Sequence, residues 1–306
     1  MIAFLLAAAL TLPVRVSGDG FTVRAEAGME DVATAVAEQV PGDLSAIYAD
    51  LRGLPKPTTI EIRLVKQASS MQAAAPDGAG VPTWAAGVAF PTRGLVIVAM
   101  RRASHDLNIR NTTTHELAHM ALGAALRGNA PRWLDEGFAY LHSSDFSWER
   151  TRTLTGMAWS GDRYFLYELE HRFPPGENAA GKAYAQAYDF VAYLAKRGRY
   201  VDGDDDGNRE PFRQFLVQMS DGRGLDNASI KAFGVPFEML ESEWWESVRK
   251  KYMWSLIGMF TLFVWCVGAL LLMVAWWKRR RQNKRRLAQW AIDEAGLPND
   301  DYAAAD

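Results

Sequence analysis

No segment constrains this chain more than His115-Glu116-Leu117-Ala118-His119. Two imidazoles four residues apart can reach one cation together when the backbone between them is an α-helix, because positions i and i+4 share a face one turn apart. Glu116 then lies beside the cation without binding it. A catalytic site of this kind needs a third protein ligand and keeps a fourth position for water, so a second element must pack against the helix. Trp133-Leu134-Asp135-Glu136-Gly137-Phe138-Ala139 opens a new apolar-periodic segment after the break at Gly128-Asn129-Ala130-Pro131. Glu136 is the best candidate third ligand and Asp135 its rival; Pro131 and Asp135 both suit the first turn of a helix.

These residue types point to metal-dependent hydrolysis of peptide bonds, with Zn2+ expected from two imidazoles and a carboxylate. The metal makes water acidic, and Glu116 takes the proton and passes it to the leaving amine. The residues alone also allow a membrane-tethered binding or scaffold module in which zinc only holds the helices together. Glu116 favours the enzyme, since structural zinc needs no such carboxylate. An oxyanion needs a further donor, and Tyr140, Tyr184 and Tyr188 are candidates that can equally be packed aromatics.

The second constraint lies near the C-terminus. Met253 to Trp277 holds no charged side chain and is long enough to cross a hydrocarbon core as a helix. Lys278, Arg279, Arg280, Arg281, Lys284, Arg285 and Arg286 follow it, against Arg249, Lys250 and Lys251 before it. The positive-inside rule sets the C-terminus in the cytoplasm and the preceding domain outside. Ile2 to Leu12 is an apolar run too short to span, followed by Pro13, Ser17 and Gly18, as in a secretory signal, although no Lys or Arg stands near Met1. The organisation expected is a signal peptide over 1–18, an extracytoplasmic domain over 19–251, a transmembrane helix over 252–277 and a basic, then acidic, cytoplasmic tail over 278–306. The expected location is the bacterial cytoplasmic membrane, and the partners are the lipid bilayer and a peptide or protein substrate. A formal net charge of −2 argues against nucleic acid or another polyanion. The one cysteine, Cys266, lies inside the expected span, so the outer domain must hold together without a disulfide.

Between these landmarks, Phe21–Ala25 and Thr59–Val65 alternate as strands, and 30–51 reads as helical material interrupted at Pro41. Ala86–Phe90 and Gly94–Ala99 are strand-like pieces around a Pro91 turn, and the remainder to Lys251 is mainly helical in pattern. The order predicts an α+β domain, a small mixed sheet followed by helices. Gly87, Val88 and Ala89 are small enough for a substrate backbone to approach and pair at a sheet edge, or they form an ordinary interior strand. Asp202, Asp204 and Asp206 match half a calcium loop, but Arg213 stands where a bidentate Glu is required, which excludes a full EF-hand and favours a solvated acidic turn. His105, His142 and His171 read as surface or structural.

Together the two motifs resemble the zinc signature of gluzincin metallopeptidases, in particular the bacterial peptidase MA-like group. Looser likeness extends to Gly87-Val88-Ala89, Phe173-Pro174, Ala183-Tyr184-Ala185-Gln186-Ala187-Tyr188 and the stretch from Phe233-Gly234 to Glu243-Trp244, and covers roughly Phe21 to Lys251. The resemblance implies a thermolysin-like zincin domain, with His115, His119 and Glu136 as zinc ligands and Glu116 as catalytic base.

Overall fold

The computed structural model describes residues 10–82, 85–143, 148–197 and 208–296. The expected Asp202–Asp206 turn, the start of the secretory signal (1–9) and the end of the acidic tail (297–306) lie outside them. Six strands make one mixed sheet: β1 (Val14–Gly18), β2 (Phe21–Ala25), β3 (Ile60–Gln67), β4 (Gly87–Phe90), β5 (Leu95–Arg102) and the short β6 (His105–Asp106). Their order is β1-β2-β3-β5-β4, with β6 paired to the end of β5. Helices follow: α1 (Glu30–Asp50), α2 (Met71–Ala74), α3 (Ile109–Ala125), α4 (Arg132–His142), α5 (Trp148–Ser160), α6 (Glu177–Lys196), α7 (Glu210–Ser220), α8 (Leu225–Phe233) and α9 (Phe237–Gly296). The α+β arrangement read from the sequence is therefore the one observed.

Strand register decides which side chains meet the helices. Val23, Ile62 and Val96 are aligned, as are Ala25, Leu64 and Val98, so all six share one face. Gly87 pairs with Val98 and Ala89 with Val96, which puts both small residues of β4 on that same face. Helix α1 packs on β1 and β2, and α3 on β4 and β5. The opposite face gathers Val65, Leu95, Ile97 and Ala99 around Met71 and Ala74, with Val88 and Phe90 packed against them. β5 is buried on both faces along Leu95–Ala99, which explains its continuous apolar run.

Two expectations are corrected. Helix α1 is not interrupted at Pro41 but runs through it. Pro41 sits on the exposed side, where the hydrogen bond lost to the proline ring can be replaced by solvent. Val14–Gly18, within the segment read as a secretory signal, forms β1 and pairs antiparallel with β2 from Val14↔Ala25 to Gly18↔Phe21. Removing residues 1–18 would strip that strand from the sheet.

The site depends on how α3 and α4 are set side by side. Asn108 caps α3 by accepting a hydrogen bond from the Asn111 amide (3.2 Å). The helix ends where Arg127 and Gly128 take left-handed backbone (φ 54° and 77°) and the Gly128 amide reaches back to the Gly123 carbonyl (2.8 Å). The chain then turns into α4, which packs on both α3 and α6. Gly137 makes the second contact possible: a Cβ there would lie 2.4 Å from the Ala187 carbonyl oxygen and 2.5 Å from Val191 Cγ2. Behind α4, the buried ring of Trp133 meets Phe190 (5.3 Å between centroids) and Phe237 (5.5 Å). At the far end of α4, Nε2 of His142 stands 3.3 Å from the buried carboxylate of Asp50 on α1, which Arg209 binds (2.5 Å).

The chain divides into two compact units, Met1–Arg249 and Lys250–Asp306. The described part of the second, Lys250–Gly296, belongs to α9, and within it Thr261–Ala291 contains a window long and apolar enough to cross a membrane. Leu270, Leu271, Leu272 and Met273 are exposed, as lipid-facing residues are, and the helix continues through the basic run to Gly296.

Two glycine substitutions test the packing in opposite directions. Gly137→Ala should destabilise the Met1–Arg249 unit by about 1–3 kcal/mol by overpacking against the α6 backbone. Gly156→Ala in α5, where an added Cβ meets nothing within 4 Å, should stabilise it by about 0.5–1 kcal/mol. Denaturant unfolding followed by tryptophan fluorescence measures both; equal effects of the two variants would contradict the packing described.

Candidate metal centre

Helix α3 carries His115, Glu116 and His119, and α4 carries Asp135 and Glu136. The two Nε2 atoms lie 3.1 Å apart. Glu136 Oε2 is 3.7 Å from Nε2 of His115 and 3.6 Å from Nε2 of His119. A tetrahedral ion with ligands at about 2.0–2.1 Å has ligand atoms separated by about 3.3 Å, so these three atoms are spaced as three corners around a small cation. Together they form a group able to hold a metal ion. Asp135 does not compete for the cation. Its Oδ1 lies 2.8 Å from Nδ1 of His119, fixing the ring so that Nε2 faces the centre.

Electrostatics agree with the geometry. Glu136 is buried, which works against its charge, but the facing imidazoles of His115 and His119 and the charge of Arg132 outweigh burial and hold its carboxyl well below the usual carboxylate range. Arg132 Nη2 meets the other carboxylate oxygen, Oε1, at 2.5 Å, so one oxygen is anchored while the second faces the imidazoles. For His119, burial opposes protonation, yet the Asp135 carboxylate and Glu136 raise its pKa well above the ordinary value. Glu116 is buried on the same helix and shifts the other way: burial raises its pKa, against the opposing influence of His119 and His115.

Glu116 owes its position to Gly87. A Cβ on Gly87 would stand 2.6 Å from Glu116 Cγ and 2.7 Å from Oε1, so the missing side chain makes room for this carboxylate. Read alone, the sequence suggested that a small residue here admits a substrate; the structure adds a packing reason. β4 is an edge strand: among the described residues no other strand pairs with its outer side along Gly87–Phe90. The Ala99 amide donates to the Ala86 carbonyl (2.9 Å), so by antiparallel alternation Gly87 and Ala89 direct their N–H and C=O groups outward. Val88 turns its side chain to the opposite face of the sheet.

A cleft of 630 Å³ joins these parts, lined among others by Gly87, Ala89, Glu116, Arg132, Tyr140 and Tyr184. The Tyr140 ring packs edge-on to His115 (4.6 Å between centroids), and the Tyr184 phenol feels the positive charge of Arg132. Burial, followed by the Glu136 charge, raises the Tyr184 pKa, so its phenol stays a donor. Tyr188 lies under Arg150 (3.9 Å) and is not among the cleft's lining residues. Among the described residues none of His105, His142 and His171 joins the metal group; His105 is exposed on β6 and His142 stands beside Asp50. Arg132 is the participant that the sequence reading missed. Its i,i+4 spacing to Glu136 was the available signal.

No curated protein gave a significant match to the chain. The family model described as Peptidase MA superfamily matches residues 46–250, well over half of the chain and the whole of α3, α4 and α6. The matched range includes both helices that carry the metal-binding group, and the chain belongs to the Peptidase MA superfamily.

Proposed function

We propose that this protein is a membrane-anchored, zinc-dependent peptidase of the gluzincin type, with His115, His119 and Glu136 as zinc ligands and Glu116 as general base. The observation that carries this reading is the spacing of the three ligand atoms beside a buried carboxylate that takes no part in ligation. Zinc held there would supply Lewis acidity toward a water molecule and the scissile carbonyl. Glu116 accepts the proton released by water as it attacks the carbonyl carbon, then delivers it to the leaving amine nitrogen. Burial raises its pKa, which makes the carboxylate a better proton acceptor than an exposed one. Tyr184, kept protonated, donates to the oxygen that gains charge in the transition state.

Peptide substrates are held in extended form against β4, where the outward backbone groups of Gly87 and Ala89 add a strand to the sheet edge. Val88, between them, turns its backbone groups to β5 and packs its side chain on the far face, so it supports the edge rather than pairing with the peptide. The apolar part of α9 anchors the chain, and the basic run from Lys278 to Arg286 sets the C-terminus in the cytoplasm of a bacterium, with the peptidase outside. Because β1 belongs to the sheet, any cleavage of the N-terminal segment falls before Val14.

Three variants test the assignment in the full chain. Glu116→Gln should reduce peptide cleavage by at least 100-fold while zinc remains bound at one equivalent, measured by peptide hydrolysis and elemental analysis. Undiminished cleavage by this variant would overturn the general-base role. Glu136→Ala should lose zinc together with activity. Asp135→Asn should weaken zinc about 10–100-fold in competition with a chelating dye, since His119 loses the carboxylate that orients it.

A further inference from the structure

The aromatic side chains that Met1–Arg249 leaves in solvent are not scattered. Among the described residues of that unit, the exposed Phe, Trp and Tyr all lie between Trp148 and Tyr167: Trp148 and Trp159 on α5, and Phe165 and Tyr167 at the 3-10 turn over Leu166–Leu169. Phe165 and Tyr167 stack on each other (5.7 Å between centroids, 17° between planes) although they are 45% and 66% exposed. Single exposed apolar side chains are ordinary, whereas neighbouring ones mark a surface that something covers. The turn that presents them is fastened down. The Leu166 amide donates to the buried Glu241 carboxylate on α9 (3.1 Å), and the Phe165 amide to Glu168 (2.7 Å). Arg163 lies over the ring of Phe165 (5.1 Å) and over that of Trp245 on α9 (5.2 Å), so the exposed pair is joined to the last residues of the unit.

Two observations say what the cover is. Only eight residues separate Trp245 from Met253, where the uncharged run begins. However those residues are arranged, they span at most about 28 Å, so a bilayer that holds the run has its interface within reach of this surface. Aromatic side chains with an apolar body and a polar tip settle at such an interface. The second observation is charge. Phe165 and Tyr167 border a cavity of 860 Å³ whose lining carries Glu170, Asp226, Glu238 and Glu241 against one arginine, Arg163. Asp226 and Glu241 accept from the Phe237 and Leu166 amides, and the excess of carboxylates disfavours anionic headgroups.

We propose that Phe165 and Tyr167 form a membrane-docking surface that inserts into the headgroup region of a zwitterionic phospholipid bilayer. Insertion is driven by burial of the two rings rather than by attraction to anionic lipid. This inference rests on the reading of α9 as a membrane anchor, and on neither the metal nor catalysis.

The test uses the full chain in phosphatidylcholine vesicles, with a fluorophore on a single cysteine and quenching by lipids brominated near the top of the acyl chain. A label on the native Cys266 reports the anchor. Tyr167→Cys and, as reference in the loop between α2 and β4, Asp77→Cys, both made with Cys266→Ser, report the surface. The expected result is quenching at position 167 about threefold or more above that at position 77, unchanged when the vesicles are enriched in phosphatidylglycerol, and reduced toward the reference by adding Phe165→Ser. Peptide cleavage in detergent should stay within about twofold of the parent in each variant, which shows that the fold is kept. Quenching at Cys266 with none above reference at position 167 would overturn the docking surface and leave the anchor standing. No quenching at either position removes both. Quenching at position 167 that requires phosphatidylglycerol contradicts the ring-driven insertion, and a spectral shift there without quenching, lost on dilution of the chain in excess lipid, assigns the surface to a second copy of the chain instead.

Discussion

Glu136 is the group on which the site depends. An ionised carboxylate buried without compensation costs several kcal/mol, and such a group normally neutralises or moves to the surface. Here it is buried on α4 and stays charged because Arg132 holds one oxygen and two imidazoles from α3 face the other. That arrangement requires α3 and α4 to lie side by side at fixed register, and the left-handed turn at Arg127 and Gly128 and the close approach at Gly137 both serve that register. Stability and chemistry are therefore coupled: displacing α4 separates the third ligand from the other two and leaves a buried negative charge without its partners.

Much of this was readable before any coordinates. A helix bearing His115 and His119 is suggested by their spacing, and Glu136, an acidic residue in the next apolar-periodic segment, is the carboxylate that the fold brings near both imidazoles. The alternation of Thr59–Val65 and the unbroken apolar run of β5 gave the sheet, and the basic flank of an uncharged stretch gave the membrane-crossing candidate. What escaped was tertiary in origin. Asp135 reads as a possible ligand until the fold shows its carboxylate on the outer nitrogen of His119, a distinction that spacing alone cannot make. Gly87 reads as room for a substrate until Glu116 is seen against it. β1 was hidden because a short apolar N-terminus followed by small residues has the composition of a secretory signal whether or not its last residues pair with β2. Pro41 misled because propensity describes helix interiors in general, whereas this proline lies on an exposed side.

The chemistry is distributed so that each part has one task. Nε2 of both histidines and one oxygen of Glu136 converge on one point, while Asp135 binds the other nitrogen of His119 and Arg132 the other oxygen of Glu136. Glu116 stays outside the ligand set, pressed between its helix and the edge strand that is proposed to hold the peptide.

X-ray absorption at the zinc edge of the full chain tests the central claim most directly, because it reads the ligands rather than the reaction. The account predicts one zinc per chain in a four-coordinate shell of nitrogen and oxygen at about 2.0–2.1 Å, with the scattering signature of two imidazoles and no sulfur. A shell with fewer than two imidazoles, or one unchanged when Glu136 is replaced by alanine, would contradict it.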